Sequence, residues 1–400
     1  MARKLNRLYG RRGLTEVEHL HLPVGPEKPR VLYFMVAYPN FSETYMHEEI
    51  RSLCDDFEIK IITYQESERP RRRSWEYERI DYRAPCLVYD SIEQIDQEFT
   101  ARAQRGFISR VSKIIDEFKP DVLHCHYLGL ALLMRFLAEK HQVPFTIRTH
   151  SMDTLSEPQA KLRANCQAAN SPWCKQVLAF PAACQRLIEH GLDPAKLRST
   201  WPIIDFERFY RPEKLISTGG VMCAGPAIPK KAHQEFIDLA ATLRDSGRHF
   251  DLYAEGPSLE KTRRYNEQLD NPATITYADP DDMHEVYPRY DWLVYPSDPA
   301  INKVGLPVTI VEAMAAGLGI CWHELPGRRQ EQLDFLGGAG YLFKSIDEVP
   351  SILSRPYPED RRASGFDAAR RCDSGLQKNL LSDVWLEAAK DSADARPVQM

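Results

Sequence analysis

Two successive sets of short, β-rich apolar runs, each run followed by a longer helical pattern, constrain this chain more than any other feature of its sequence. Parallel strands buried on both faces read in this way, because a parallel crossover needs a dozen or more residues and usually contains a helix. The first set places strands at residues 31–37, 59–64, 122–126 and 144–149, with helices at 43–54, 106–118 and 128–141. The rhythm restarts at 220–224 and continues at 250–254, 274–277, 292–295 and 319–322. The expected fold is therefore α/β with two doubly wound, Rossmann-like sheets, and 400 residues exceed what one hydrophobic core usually serves. Residues 1–202 form the expected first domain, with 1–29 as a basic extension. Residues 203–219, rich in aromatic residues and without periodicity, are the expected linker; 220–372 are the second domain, and 373–400 a C-terminal helix and tail returning to the first.

Open parallel sheets bind ligands beyond the carboxyl ends of their strands, so two facing sheets put a site in the cleft between them. The glycine fingerprint Gly-x-Gly-x-x-Gly after a first strand is absent from both halves, which argues against a dehydrogenase. An apolar share of 43% with 27% charged residues places the chain among globular proteins rather than disordered ones. Its longest apolar stretch, near 128–137, is interrupted by Arg135 and is too short to span a bilayer. No apolar signal core follows the basic N-terminal residues, so a cytoplasmic location is expected. The nine scattered cysteines, none in a Cys-x-x-Cys pair, read as reduced thiols with no zinc site.

Charge is unevenly divided: residues 1–200 hold 29 Lys and Arg against 26 Asp and Glu, leaving 23 against 31 for the rest. The basic residues cluster as Arg3, Lys4, Arg7, Arg11 and Arg12, and again as Arg69, Arg71, Arg72 and Arg73. Such patches suit peripheral contact with an anionic membrane or an acidic acceptor, or are simply a solvated tail and loop.

The most informative segment is 295–319. A buried strand ends at Pro296-Ser297, a loop crosses to Gly305-Leu306-Pro307, and a helix runs over 308–316 with Glu312 one turn in. That carboxylate can accept hydrogen bonds from two ribose hydroxyls, and free N–H groups at the helix start can meet phosphate oxygens. An isolated Glu at this place would read as a surface residue, and the pattern around it decides otherwise. His124 and His126 alternate on a strand and point to one face. Two imidazoles can bind a metal, but the sequence shows no third ligand, so no metal is expected and one of the two should face the cleft. His150 ends a strand before a polar loop, which fits substrate contact, with helix capping as the alternative. Ser42 and Thr44 stand where they can cap the helix beginning near Glu43. No Ser-His-Asp or Cys-His arrangement supports covalent acyl chemistry.

Gly305, Leu306, Pro307, Glu312, Ala313, Met314, Ala315 and Gly317 resemble, in register, the signature of glycosyltransferase family 4, the retaining enzymes of the GT-B fold. Tyr38-Pro39 with Ser42-Glu43-Thr44 resembles that family's first loop, and His124-Cys125-His126 its His-x-His strand end. Thr149-His150-Ser151-Met152-Asp153 is similar to its Thr-His-Gly-x-Asp loop, whose His faces the donor sugar. Asp205, Phe209 and Pro212 resemble its linker, and Gly256-Pro257 and Gly340-Tyr341-Leu342 its later pieces, so the resemblance covers most of residues 30–345.

What the resemblance implies is a pair of Rossmann-like domains facing across a cleft. A nucleotide-sugar donor would react there with a saccharide or lipid-linked acceptor of cell-surface polysaccharide synthesis, without metal, cofactor or nucleic acid. It assigns catalysis to His150, Lys231 and Glu312. Donor binding falls to Gly225, Lys231, Gly256, Pro257, Lys303, Val304, Gly305, Leu306, Pro307, Val308 and Glu312, and the acceptor side to Ser42, Glu43, Thr44, His126 and Asp153.

Two positions depart from the family pattern. The first Glu of its paired carboxylates, eight residues before Glu312, is Val304, which accepts no hydrogen bond. The Arg of its diphosphate clamp is Pro226, directly after Gly225, while the partner Lys231 remains. Lys303, Lys230 or Arg148 are the candidate replacement cations. These departures keep open a catalytically degenerate scaffold or regulator of a glycan assembly complex, and the two-domain plan also admits another nucleotide-sugar enzyme such as an epimerase.

Overall fold

A computed structural model of the chain describes residues 18–25, 28–40, 43–66, 73–80, 102–155, 158–213, 218–301 and 306–395. The first half builds a seven-stranded sheet from β1 (Arg30–Tyr38), β2 (Glu58–Glu66), β3 (Glu78–Arg79), β4 (Val122–His126), β5 (Phe145–Arg148), β6 (Cys174–Ala179) and β7 (Leu197–Ser199), in spatial order β3-β2-β1-β4-β5-β6-β7. The second half builds a six-stranded sheet from β8 (Gly220–Ala224), β9 (His249–Tyr253), β10 (Thr274–Thr276), β11 (Trp292–Tyr295), β12 (Gly319–His323) and β13 (Gly340–Phe343), in order β10-β9-β8-β11-β12-β13. All neighbouring pairs are parallel. Each sheet reverses its strand order once, beside its own first strand, which is the doubly wound plan expected from the sequence.

The strands are continuous apolar runs because both faces are covered. On β1, Leu32 and Phe34 enter one core cluster while Val31, Tyr33 and Met35 enter the cluster on the opposite face. That second cluster is closed by two helices. In α1 (Thr44–Leu53), Met46, Ile50 and Leu53 lie at helical spacing and turn inward. A carboxylate, Glu49, lies on the same buried face of α1. The long last helix (Ser374–Ala395) lies over the first sheet and inserts Leu381, Val384, Trp385 and Ala388 beside α1.

The segment between the sheets carries more order than its lack of periodicity suggested. Phe206–Phe209 forms a helical turn, capped by Asp205, whose side chain accepts from the Arg208 N–H at 3.2 Å. Phe206 and Phe209 are buried in the second half's core, and Ile204 bridges to Asp373. Aromatic anchoring, invisible to a period count, fixes the segment. Eight described cysteines are free thiols, and Cys86 lies outside the described residues. The first basic cluster and Arg69, Arg71 and Arg72 lie outside them as well. Among the described residues no helix is long and apolar enough to cross a membrane.

Candidate active site

The loops leaving β8, β9 and β10 and the start of a second-half helix, α2 (Val308–Ala315), line a pocket of about 590 Å³. Gly225 and Pro226 follow β8, Ala254 and Glu255 follow β9, and Tyr277 and Ala278 follow β10; Val308, Thr309 and Glu312 come from α2. Thr44, at the start of α1, closes the pocket from the first half. The pocket therefore lies beyond the carboxyl ends of the second sheet's strands and between the halves. A second recess of about 470 Å³ shares Thr44, Pro280 and Glu312 with it and runs toward Asp205 and Arg208 of the linker.

Glu312 is 8% exposed rather than on an open surface, because α2 is buried continuously from Ile310 to Ala315. One carboxylate oxygen accepts from the Tyr287 hydroxyl at 2.8 Å, while the group lines the pocket. Burial and the Glu312 charge together push the Tyr287 phenol well above its ordinary value, so it remains a donor.

Lys231 ends a tight turn, Pro229–Lys231, and is also 8% exposed. Its amine donates to the Tyr295 hydroxyl and sits 4.2 Å from the centre of that ring. Burial, aided by the Lys230 charge, lowers its pKa to about 7. The amine lies beside Gly225, which lines the pocket and whose φ of +145° only glycine adopts with ease; a Cβ there would lie 3.6 Å from Nζ, while Lys231 itself does not line the pocket. Gly256 is required for a different reason: with φ at +150°, a Cβ would meet the Ala227 backbone at 2.8 Å. Gly256 and the exposed Pro257 shape the loop beside Glu255 without lining the pocket themselves. Leu306 is buried and Pro307 precedes α2 as its N-cap, so these two set the helix start while Val308 reaches the pocket. Lys303, Val304, Gly305 and Ser42 lie outside the described residues.

On the first-half side, the sequence expectation for the histidines needs correction. His124 and His126 are both 0% exposed, so neither faces the cleft; α1 and the last helix cover that face of β4. They gather instead around Glu49, the residue that sequence reasoning missed. Glu49 Oε2 accepts from Arg148 at 2.6 Å, while Oε1 accepts from Tyr33 at 2.8 Å and lies 3.2 Å from His126 Nε2 and 3.5 Å from His124 Nε2. Burial alone would raise this carboxyl, but Arg148 and His126 hold it well below the usual carboxylate range. Arg148, considered above as a replacement phosphate cation, is consumed here and by the Trp201 carbonyl at 2.5 Å.

His150 is 6% exposed and does not line the pocket. It stands behind Tyr45 and Tyr127, with its Nε2 2.9 Å from His126 Nδ1 and its Nδ1 3.1 Å from the Tyr45 hydroxyl. Burial, with the neighbouring His126 and Arg148, lowers its pKa well below the ordinary imidazole value. Asp153 is equally internal: its carboxylate accepts from the backbone N–H groups of His150, at 2.7 Å, and of Leu128, tying two loops together. Glu43 accepts from Tyr127 at 2.6 Å and precedes α1 as its N-cap without a side-chain cap bond, and Thr44 makes none either.

Comparison with known proteins agrees with this architecture. The Glycosyltransferase Family 4 model matches residues 42–208 and the Glycosyl transferases group 1 model residues 218–350. The fold is that of the GT-B glycosyltransferases. Within them, the chain belongs with the family 4 type. No curated protein sequence matches it. Among solved structures, HepE from Anabaena in complex with UDP superposes with a TM-score of 0.68 at 13% identity, over 90% of this chain and all of that one. A glycosyltransferase from Rickettsia africae gives 0.62 at 13% identity, over 91% and 100%. The lipopolysaccharide outer core galactosyltransferase WaaB gives 0.60 at 14%, over 90% and 99%. At these identities the likeness is one of fold.

Proposed function

We propose that this protein is a retaining, metal-independent glycosyltransferase that moves a sugar from a nucleotide-sugar donor to a saccharide or lipid-linked acceptor in cell-surface polysaccharide synthesis. The observation that carries the reading is the placement of Glu312 in the pocket beyond the carboxyl ends of β8, β9 and β10, with Lys231, 81 positions away in the chain, packed against the lining residue Gly225. In that pocket Glu312 would hold the ribose hydroxyls. The Lys231 amine and the backbone N–H groups at the start of α2 would meet the diphosphate and offset the charge growing on the leaving oxygen, the term that usually dominates such catalysis. His150 would act from the facing wall through Tyr45. The basic N-terminal cluster supports an acceptor at an anionic membrane surface.

UDP-sugars are the first donors to test, since solved structures of the same fold hold UDP or UDP-glucose. The full-length protein is incubated with a panel of nucleotide sugars and candidate acceptors, with and without EDTA. Nucleoside diphosphate release that survives EDTA is the expected result. Absence of binding and release with every donor would overturn the reading.

Pro226, which lines the pocket where the family carries an arginine, favours one competing reading: a scaffold that retains the fold without turnover. Substituting Lys231 or Glu312 by Ala separates the two, because a scaffold would keep its biological role in both variants.

A further inference from the structure

We propose that Glu49 is a positioning residue whose buried charge fixes the tautomers of His126 and His150 and thereby makes the hydroxyl oxygen of Tyr45, the residue after the pocket-lining Thr44, a hydrogen-bond acceptor. This rests on the glycosyl-transfer reading and adds to it a role for the interior of the first domain.

Donor and acceptor capacity fixes where each proton sits. Two groups face His126 Nε2: carboxylate Oε1 of Glu49 at 3.2 Å, which has only lone pairs to offer, and the Tyr33 hydroxyl, whose single proton goes to Glu49 Oε1 at 2.8 Å and whose oxygen can then only accept, so Nε2 must carry its proton. The opposite tautomer would set a lone pair against a buried negative charge. With Nε2 protonated, neutral His126 has only an acceptor at Nδ1, and the atom 2.9 Å away, His150 Nε2, must therefore be the donor. His150 Nδ1 is then an acceptor in turn, and the Tyr45 O–H 3.1 Å from it must donate inward. The chain of bonds is directional: every proton points toward Glu49, and the Tyr45 oxygen keeps its lone pairs for an outside partner. Tyr45 is half-buried and adjoins Thr44, which lines the pocket. A sugar hydroxyl reaching Tyr45 would thus be read as a donor.

His124 obeys the same rule by an independent route. The indole N–H of Trp385 has no acceptor capacity and points at His124 Nδ1 at 3.3 Å, with the Thr146 hydroxyl 2.7 Å from the same atom. The remaining proton sits on Nε2, 3.5 Å from Glu49. Two other uses of the cluster fit less well. Among the described residues Glu49, His124 and His126 place ligand-type atoms within 4.8 Å of one another, as a metal site would. A divalent ion there would share its carboxylate with the Arg148 guanidinium and face the Trp385 donor on His124. A proton sink is equally disfavoured, because Arg148 stabilises the Glu49 charge and opposes its protonation.

The test is a long-range ¹H–¹⁵N spectrum of the ligand-free, histidine-labelled full chain, which reads each tautomer without any substrate. Nε2–H signals for His126 and His150 are expected. An Nδ1–H signal at either residue, or a stoichiometric bound metal in the purified protein, would overturn the proposal. In Glu49→Gln, paired with Arg148→Met so that no cation is orphaned, His150 should lose its single tautomer. Sugar-transfer kcat should fall roughly 10- to 100-fold, the range seen when an orienting partner is lost, with nucleoside diphosphate affinity unchanged. Tyr45→Phe, which disturbs no buried charge, should lower kcat while leaving both tautomers intact. Unaltered tautomers in the folded double variant, or unaltered kcat in Tyr45→Phe, would refute it. If no donor turns over, the glycosyl-transfer reading fails alone, because the tautomer spectrum of the unliganded chain is judged separately.

Discussion

The two walls of the cleft hold charge in opposite ways. In the second half, Lys231 and Glu312 are partnered by tyrosine hydroxyls, Tyr295 and Tyr287, and each keeps a small exposure, that of Glu312 at the pocket. In the first half, Glu49, Arg148, His124 and His126 are at most 1% exposed and gather around the Glu49 carboxylate. Neutral partners leave a charge available for a ligand; ionic partners use it up. On the proposed function, the second-half wall binds and the first-half wall holds a shape.

If that contrast is right, substitutions in the two walls should separate stability from turnover. The largest effect is expected from Trp385→Ala, which empties a fully buried site between the last helix and the first sheet: about 3–5 kcal/mol of stability lost, measured by denaturant unfolding, with no specific effect on nucleotide affinity in the folded fraction. Next is Lys231→Met, which should lower kcat by roughly 10²–10³, about 2.7–4 kcal/mol, with little change in unfolding midpoint. A stability loss with normal turnover would break the contrast. Glu312→Gln keeps the shape and an acceptor for Tyr287 but removes the charge; donor affinity should weaken by about 1.5–3 kcal/mol, read by calorimetry.

The smallest effect sharpens the picture through pH. With its folded pKa lowered from 10.5 to about 7, Lys231 binds fewer protons folded than unfolded between those values, so its contribution to stability rises with pH across that window. A diphosphate reverses the balance by drawing a proton back onto the amine. Nucleoside diphosphate binding at pH 8 should be accompanied by proton uptake, detected by calorimetry in two buffers of different ionisation heat, and should weaken by up to about tenfold per pH unit above 7. Lys231→Met should abolish both.

The strand rhythm was legible because β4, β8 and β11 are buried on both faces and read as unbroken apolar runs. Strands β6 and β7 were not, since Cys174–Ala179 mixes Lys and Gln into a half-covered run and Leu197–Ser199 is a three-residue edge. Gly225 and Glu312 were readable as neighbours of one pocket because each is marked locally, by a glycine at positive φ after β8 and by the start of α2. Glu49 was not readable. A carboxylate between Ile50 and Met46 looks like a solvent-facing helix residue until its partners arrive from Tyr33, His126 and Arg148, up to 99 positions away. One sequence signal was present: Glu49 falls on the apolar stripe of Met46, Ile50 and Leu53 rather than opposite it.

The return of the last helix to the first sheet has a consequence for biosynthesis. Trp385, Val384 and Leu381 complete a core begun by residues near position 31, so the part of the protein that leaves the ribosome earliest is finished latest. Until then Tyr33 and His124 face an open groove, and the nascent first half must be kept from aggregating through it. The order of synthesis thus ties the assembly of one wall of the cleft to prior completion of the other.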